Sequence, residues 1–420
     1  MANSLKILFL ELIVTVICII SLDTAFADIY NVDRTDDNNM NAANVCSPVP
    51  NDCSLRGAVI RSNIHTGDDV INVPAGTYTL TITSGIGDEF FGDLDVNDPA
   101  GNLTINGAGA QNTIIQAGTS AKNGIDRVLQ HFHNQLTIND VTIRYGTVNG
   151  NGGGINNDAT MFINNSSIDQ NAANGSYGGG IFNGDARNLT ITNSTISNND
   201  VSGDGGGIFN NGGTVILTNV TISGNESDLG PEPNESGGGV YNASPGTINM
   251  TNVTIATNVA YNSQGDGIFN SGTVNLINTL IAQNDNQNCA GTGPYYASYS
   301  LSSDLSCSFI GSNNITNTNA LIYPLDNNGG ATQTHGLFIK SLAIDNGTDI
   351  GAPSYDQRGF PRIDIPGVNH EGVNITDIGA YEYQQSTAVP TMTHWGMIIF
   401  MVFAGLGAFY YLRRQRRAEN

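Results

Sequence analysis

The chain of 420 residues contains 51 glycines, 15 lysines and arginines, and 37 aspartates and glutamates, which give a formal net charge of −22. Basic residues are sparse, and four of them lie in the last eight positions, so the clustered positive charge that nucleic-acid binding requires is missing. Hydrophobic residues make up 39% of the chain and recur at regular intervals, which excludes a wholly disordered chain.

Residues 1–27 have the pattern of a secretory signal peptide. Lys6 precedes an apolar run over residues 12–22, and small residues at Ala25 and Ala27 suit cleavage before Asp28. The run is shorter than the ~20 residues that a membrane-spanning helix needs. The sequence therefore predicts that the protein is exported.

Residues 28–135 contain short strand-like alternations of apolar and polar residues, which predict irregular coils and an N-terminal cap. The mature chain would keep four cysteines in an oxidising compartment, and three pairings are possible. We favour Cys46 with Cys53 and Cys289 with Cys307, because each pair lies outside the repeats and could staple an irregular loop. A zinc site is the alternative, but no histidine accompanies either pair at ligand spacing.

Residues 136–284 contain one eight-residue module six times. Apolar residues occupy its last position and those two, five and seven earlier, so the alternation of a strand changes phase once. The residue at that phase change is Asn or Asp, which tolerates the left-handed backbone of a corner. In the six copies it is Asp140, Asn165, Asn193, Asn219, Asn252 and Asn278.

A second module of three glycines and an apolar residue alternates with the first, and further asparagine columns follow both modules. A coil of about 26 residues that turns corners without a helix predicts an all-β fold, a right-handed parallel β-helix. Stacked asparagines would then hydrogen-bond from coil to coil, and we predict such a ladder at Asn165, Asn193, Asn219, Asn252 and Asn278. A leucine-rich repeat is the alternative, but the glycines occupy the half where its helix would lie.

Residues 285–383 lose the repeat, and we expect further coils and a C-terminal cap there, because solenoid ends must hide their open strand edges. Residues 384–394 are expected to form a linker that contains a short sorting motif. Residues 395–412 are almost wholly apolar and would span ~27 Å as a helix, which predicts a single transmembrane segment. The tail 413–420 begins with Arg413 and Arg414 and is expected on the cytoplasmic side.

Several ordered landmarks resemble known families of bacterial secreted proteins. Residues 53–56 (Cys-Ser-Leu-Arg) resemble the CSLREA motif, and residues 288–291, 326–330, 341–345, 356–359 and 377–382 resemble landmarks of the choice-of-anchor Q domain. Val389, Pro390, Thr391 and Met392, followed by Trp395, Gly396 and the arginines, are similar to the IPTL-CTERM sorting signal. The resemblance implies a β-helix attached at the cell envelope, with an exosortase-type enzyme as the partner that removes the membrane segment. It implies no settled activity.

Two functions fit these residues. The first is a non-catalytic surface or matrix protein, structural or adhesive towards glycans or proteins, because aspartates in a solenoid occupy corners and turns for structural reasons. The second is a polysaccharide lyase or hydrolase of the pectate-lyase-like type, which would use carboxylates and a positioned basic residue. Its candidate residues are Asp140, Arg144, Asp185 and Arg187, since the two arginines lie about one coil apart. A cleft with two or three carboxylates or a basic residue would favour the enzyme.

Other polar clusters predict no catalytic, cofactor or metal site. Residues 87–98 offer five carboxylates, and calcium would suit them, but they lack EF-hand spacing, so we expect a solvated acidic loop. His131 and His133 lie on one face of a strand and would make an incomplete metal site. We expect them to pair with nearby polar groups.

Overall fold

The computed structural model describes residues 27–37, 46, 50–83, 91–175, 177–227, 235–261, 264–367, 374–385, 401–409, 411 and 414. The chain divides into two compact units, residues 1–383 and 384–420. In the second unit, residues 401–409 are helical and exposed. No helix within the described residues is long and apolar enough to cross a membrane. Residues 1–26, the motif from Val389 to Gly396, and Arg413 lie outside the described residues, so export and sorting stay predictions.

The first unit is built from parallel strands that pair from one coil to the next. Within one regular coil the chain passes from a three-residue strand, through a turn, into a ten-residue strand with a corner, and then into a two-residue strand. Equivalent residues pair coil upon coil: Ile155 pairs with Ile181, and Ile181 pairs with Ile208. This arrangement is a parallel β-helix, as the repeat predicted, and its handedness stays a prediction.

Four sheets contain all the described strands, which are numbered here in chain order. The long sheet holds β1 Ile29–Asn31, β2 Asp69–Asn72, β3 Gly76–Thr79, β5 Leu103–Asn106, β6 Thr113–Gln116, β8 Gln135–Asn139, β9 Thr142–Arg144, β12 Thr160–Asn164, β13 Ser167–Asp169, β16 Asn188–Ser197, β19 Thr214–Ser223, β22 Thr247–Ala256, β25 Thr273–Ile277, β26 Leu280–Ala282, β28 Tyr295–Ser298, β29 Leu301–Ser302 and β30 Ile315–Thr316. The second sheet holds β4 Leu94–Val96, β7 Leu129–His131, β11 Ile155–Asn157, β15 Ile181–Asn183, β18 Ile208–Asn210, β21 Val240–Asn242, β24 Ile268–Asn270 and β27 Cys289–Ala290. The third sheet holds β10 Thr147–Val148, β14 Ala172–Ala173, β17 Asp200–Val201, β20 Glu226–Ser227 and β23 Val259–Ala260, and the antiparallel fourth pairs β31 Ile322–Asp326 with β32 Thr334–Leu337.

The interior of the coils is a continuous apolar column. The last residues of the eight-residue modules stack on one another in register and are fully buried: Ile143, Ile168, Ile196, Ile222, Ile255 and Ile281. Each such side chain contributes about 1.5–3 kcal/mol by leaving water. On the outer face of the second sheet, Phe182, Phe209, Tyr241 and Phe269 also stack, with ring centroids 4.8 to 5.6 Å apart.

The corners have the backbone that the sequence pattern predicts. The residue at the phase change has φ between 50° and 60° in all six copies. Across the coil, the glycine triplet is required by close backbone approach: a Cβ on Gly179 would lie 2.5 Å from the carbonyl oxygens of Asp200 and Gly206. A larger residue there would separate adjacent coils.

The N-terminal coils are closed by a helix, α1, at Leu55–Ile64. The Ser54 hydroxyl accepts a hydrogen bond from the Gly57 amide and caps the first turn. Arg56 is buried: its guanidinium bonds the Asp37 carboxylate and the main-chain oxygens of Gly92 and Asp93. The arginine of the CSLREA-like motif therefore joins the helix to the first coils.

Residues 322–383, here called the strap, leave the coil path and run back along one side of the solenoid. Gln111 in an early coil donates to the Gly330 carbonyl, Asn219 to the Tyr355 carbonyl, and Asn278 to the Thr348 carbonyl. This differs from the C-terminal cap expected for these residues. Their described contacts extend over many coils, because the outer polar edges of those coils offer hydrogen bonds that the strap completes.

Candidate functional site

The asparagine ladder that we predicted in the corner column is formed only in part. In the corner column, only Asn219 to Asn193 and Asn278 to Asn252 are joined by side-chain hydrogen bonds in the described residues. Continuous ladders lie instead in the two other asparagine columns: Asn157, Asn183, Asn210, Asn242 and Asn270, and Asn171, Asn199, Asn225, Asn258 and Asn284. At the corners the left-handed backbone turns the amide outwards, and the strap takes several of those amides.

The four cysteines of the mature chain form two disulfides, Cys46 with Cys53 and Cys289 with Cys307. Both pairs are local in sequence, with separations of 7 and 18 residues. They therefore close irregular segments at either end of the regular coils and leave no thiol of these four free.

A groove of about 330 Å³ lies between the strap and the strands that follow the corner. Its floor comes from β6, β9 and β13, and its wall comes from strap residues 327 and 331–333. The side chains that line it are chiefly polar: Gln111, Thr142, Arg144, Ser167, Asp169 and Gln333, with Ile114. The groove exists because the strap bridges adjacent coils without filling the space above their outward residues.

Arg144 and Asp169 lie side by side in this groove, since they are register partners on adjacent coils. The Arg144 Nε donates to Gln116 Oε1 at 2.9 Å, and the guanidinium lies 4.5 Å from the centroid of the Tyr145 ring. Its two Nη atoms have no hydrogen-bond partner in the described part of the chain. Asp169 accepts hydrogen bonds from the Ser197 hydroxyl and the Asn198 amide, both at 2.9 Å. The site thus presents an oriented cation beside one hydrogen-bonded carboxylate.

The four residues proposed for an enzymatic face do not come together. Arg144 pairs in register with Asp169 on the next coil, and Asp169 pairs with Ser197, the last residue of β16. Arg187, in contrast, directly precedes the first residue of β16. The two arginines are thus separated by the length of a ten-residue strand with a corner. Asp185 lies in the turn before β16, and Asp140 lies at a corner. Of the four residues, only Arg144 lines the groove. Two residues about one coil apart in sequence lie on the same face only when they occupy equivalent positions in their coils.

The histidines pair with polar groups. His131 is buried, and its ring nitrogens contact Asn157 Oδ1 and the His133 carbonyl oxygen at 3.0 and 2.8 Å. Burial lowers the pKa of His131, against the opposing effect of the hydrogen bonds to Asn157 and His133. Through its contact with Asn157, this histidine begins an asparagine ladder. His335 in the strap is also buried and contacts the Ser223 hydroxyl and the Tyr323 carbonyl.

The acidic segment 87–98 is described only from residue 91. There Asp93 forms an ion pair with Arg127 at 3.1 Å, and Asp98 accepts hydrogen bonds from the amides of Ala100 and Gly101. A different group of carboxylates, Asp345, Asp377 and Glu382, belongs to the strap itself and is fully buried, with one oxygen of each within 4.8 Å of the others. In the sequence these three residues belong only to the landmarks that resemble the choice-of-anchor Q domain, because nothing in their spacing shows that they meet.

The described residues form a parallel β-helix with a polar groove on one side, between the strap and the coils. Its sequence matches no family model and no curated protein. Among solved structures it is similar to the crystal structure of pectate lyase Pel9A, with 16% identity and a TM-score of 0.48. That similarity covers 85% of this chain and 96% of the other.

Proposed function

We propose that this protein is an exported, surface-anchored and non-catalytic β-helix whose lateral groove binds an extended glycan. One observation carries the proposal: Arg144 is held in place by Gln116 and Tyr145 while its two Nη atoms stay available in a groove lined by hydroxyl and amide groups. Such groups hydrogen-bond sugar hydroxyls, and a guanidinium recognises a sugar carboxylate.

The carboxylate content of the groove favours binding over hydrolysis. A glycosidase needs two carboxyl groups on either side of the scissile bond. Among the described residues that line the groove, Asp169 is the single carboxylate. Its Oδ1 already accepts hydrogen bonds from Ser197 and Asn198, and its Oδ2 accepts one from Gln170. A carboxylate held in this way serves to position a ligand.

Anchoring completes the proposal. The signal-peptide pattern, the apolar residues 395–412, the arginines that follow, and the resemblance to the choice-of-anchor Q and IPTL-CTERM families support attachment at the cell envelope. An exosortase-type enzyme would cleave near Val389-Pro390-Thr391-Met392. In a host that encodes such an enzyme, the surface-associated protein should lack the arginine tail by mass spectrometry. An intact tail would contradict processing.

Glycan binding is tested with the full chain on an array that includes uronic-acid polymers. Arg144→Ala should weaken binding by about ten- to a hundredfold, since it removes hydrogen bonds that involve a charged group. Arg187→Ala is the matched control, because Arg187 is exposed at the other end of the strand and should leave binding unchanged. No binding by the wild-type chain would refute the proposal.

A polysaccharide lyase is the second candidate, because the groove contains the one basic residue, Arg144, that such a reaction would use. Incubation with polygalacturonate, with and without calcium, separates the two functions. Release of unsaturated sugars by wild type and Arg187→Ala, lost in Arg144→Ala, would establish the lyase. Binding without release supports the non-catalytic function.

A further inference from the structure

The buried carboxylates of the strap accept hydrogen bonds from main-chain amides of the strap itself. Asp377 Oδ1 accepts from the Asp345 amide at 2.8 Å, and its Oδ2 accepts from the Tyr383 amide. Glu382 Oε2 accepts from the Asp377 amide at 3.0 Å, and Oε1 accepts from the Ile363 amide at 3.0 Å. The three carboxylates are therefore positioned by the strap's own backbone and converge.

One oxygen of this group has no partner among the described residues. Asp345 is fully buried, and while its Oδ2 accepts from the Ile365 amide at 3.1 Å, its Oδ1 is inaccessible to water and makes no hydrogen bond within the part of the chain that the structure describes. A buried acceptor without a partner costs about 1–3 kcal/mol, and more when it is charged. Such an oxygen, within a cluster of carboxylates, can serve as a ligand for a cation.

The charge of the group is also unbalanced. Arg362 forms an ion pair with Glu382 at 2.9 Å and neutralises one carboxylate, which leaves two negative charges from Asp345 and Asp377. A bound cation would offset the cost of burying these charges.

We propose that Asp345, Asp377 and Glu382 form a binding site for one calcium ion. Calcium takes carboxylate and carbonyl oxygens at about 2.3–2.6 Å in flexible geometry, which suits three oxygens within 4.8 Å of one another. Zinc prefers histidine and cysteine, and this group contains neither. Magnesium demands near-ideal octahedral geometry with oxygens ~2.1 Å away, so two of its ligands lie at most ~4.2 Å apart, and oxygens separated by up to 4.8 Å suit the larger calcium ion better.

The site lies where a bound ion would link two parts of the strap to each other and to the coils. The Asn252 amide donates to the Asp377 carbonyl, and the Ala380 amide donates to the Thr254 hydroxyl, so the ligands lie where the strap contacts the corner column. An ion there would hold residues 341–345 to residues 374–383 and both to the coils. The same strap forms the wall of the groove, yet the site does not depend on what the groove binds.

The purified full chain, stripped with a chelator, is titrated with calcium chloride by calorimetry and with terbium by luminescence. Wild type should bind one ion per chain, and calcium should raise its Tm by a few degrees over the chelated protein. Asp345→Asn should lower the affinity at least about tenfold, because ligand charge sets calcium affinity. Two controls should bind as wild type: Asp326→Asn on the exposed surface of the strap, and Asp95→Asn in the acidic segment.

Wild type that binds neither ion would overturn the proposal, as would normal binding by Asp345→Asn or binding lost only in Asp95→Asn. Hydrogen exchange of the wild-type chain tests the site without any variant. Calcium should slow exchange in residues 341–349 and 374–383 and leave residues 91–98 unchanged. Slowing confined to residues 91–98 would place the ion elsewhere.

Discussion

The two kinds of asparagine column should respond differently to substitution. Asn225 is fully buried in a continuous ladder, where its Nδ2 donates to Asn258 Oδ1 and the Ile196 carbonyl at 2.9 and 3.0 Å. Its Oδ1 accepts from both the main-chain and side-chain nitrogens of Asn199 at 3.1 and 2.9 Å. Asn225→Ala therefore removes four hydrogen bonds and leaves the buried Asn199 main-chain N–H without this partner.

The magnitude follows from these bonds. A buried donor without a partner costs about 1–3 kcal/mol, and each further lost bond costs about 0.5–1.5 kcal/mol net, so Asn225→Ala should destabilise by about 4 kcal/mol. Asn193 has φ of 50° at a corner, and its side chain accepts one hydrogen bond, from Asn219. Glycine adopts that backbone without strain, so Asn193→Gly should change stability by less than about 1 kcal/mol. Asn193→Ala should be about 1 kcal/mol worse than Asn193→Gly.

Denaturant unfolding followed by circular dichroism measures the three variants against wild type, and hydrogen exchange reports the coils around each substitution. The expected order of stability is wild type and Asn193→Gly, then Asn193→Ala, then Asn225→Ala. The reasoning is refuted if Asn193→Gly costs as much as Asn225→Ala, or if Asn225→Ala costs less than about 1 kcal/mol.

Two further predictions concern charge. Arg56→Met leaves the buried Asp37 carboxylate without its cation and should lower the free energy of unfolding by about 3–5 kcal/mol. Arg34→Met removes an ion pair with an exposed partner and should lower the free energy of unfolding by less than about 1 kcal/mol. Equal effects of the two substitutions in thermal unfolding would contradict this prediction. Burial raises the pKa of Asp204 to about 6, so its contribution to stability is present near pH 4 and lost as the pH rises through 6. Asp204→Asn keeps an acceptor for the Ser236 amide. It should raise the free energy of unfolding by about 1–2 kcal/mol at pH 8 but by little at pH 4. A gain in stability that does not depend on pH would contradict the assignment to the Asp204 carboxyl.

The sequence predicted what repeats. The phase change at Asn193 and its equivalents predicted a left-handed corner, and the backbone there has φ near 50°. The glycine triplets argued against a leucine-rich repeat, and in the structure Gly179 lies directly against the backbone of its neighbours, where a Cβ has no room. Both features are local, and each coil repeats them, so one chain supplies several independent observations of the same conformation.

Which asparagines form ladders could not be predicted in the same way. The corner column and the buried columns have the same residue type and the same period. The difference lies in what each side chain contacts. Asn219, at its left-handed corner, donates to the Tyr355 carbonyl in the strap, while Asn225, which follows the left-handed Gly224, donates to Asn258 along the stack.

The sequence by itself thus determined the coil, its corners and its core, because the period and composition encode them within about 26 residues. The expected location of the protein at the cell envelope came from the two terminal segments of the sequence. The tertiary structure alone decided the groove at Arg144 and the buried meeting of Asp345 with Asp377 and Glu382. Both depend on a strap that returns over coils far from it in sequence and has no repeat of its own. Contacts of that kind follow from the path of the folded chain, and no local pattern of residues records them.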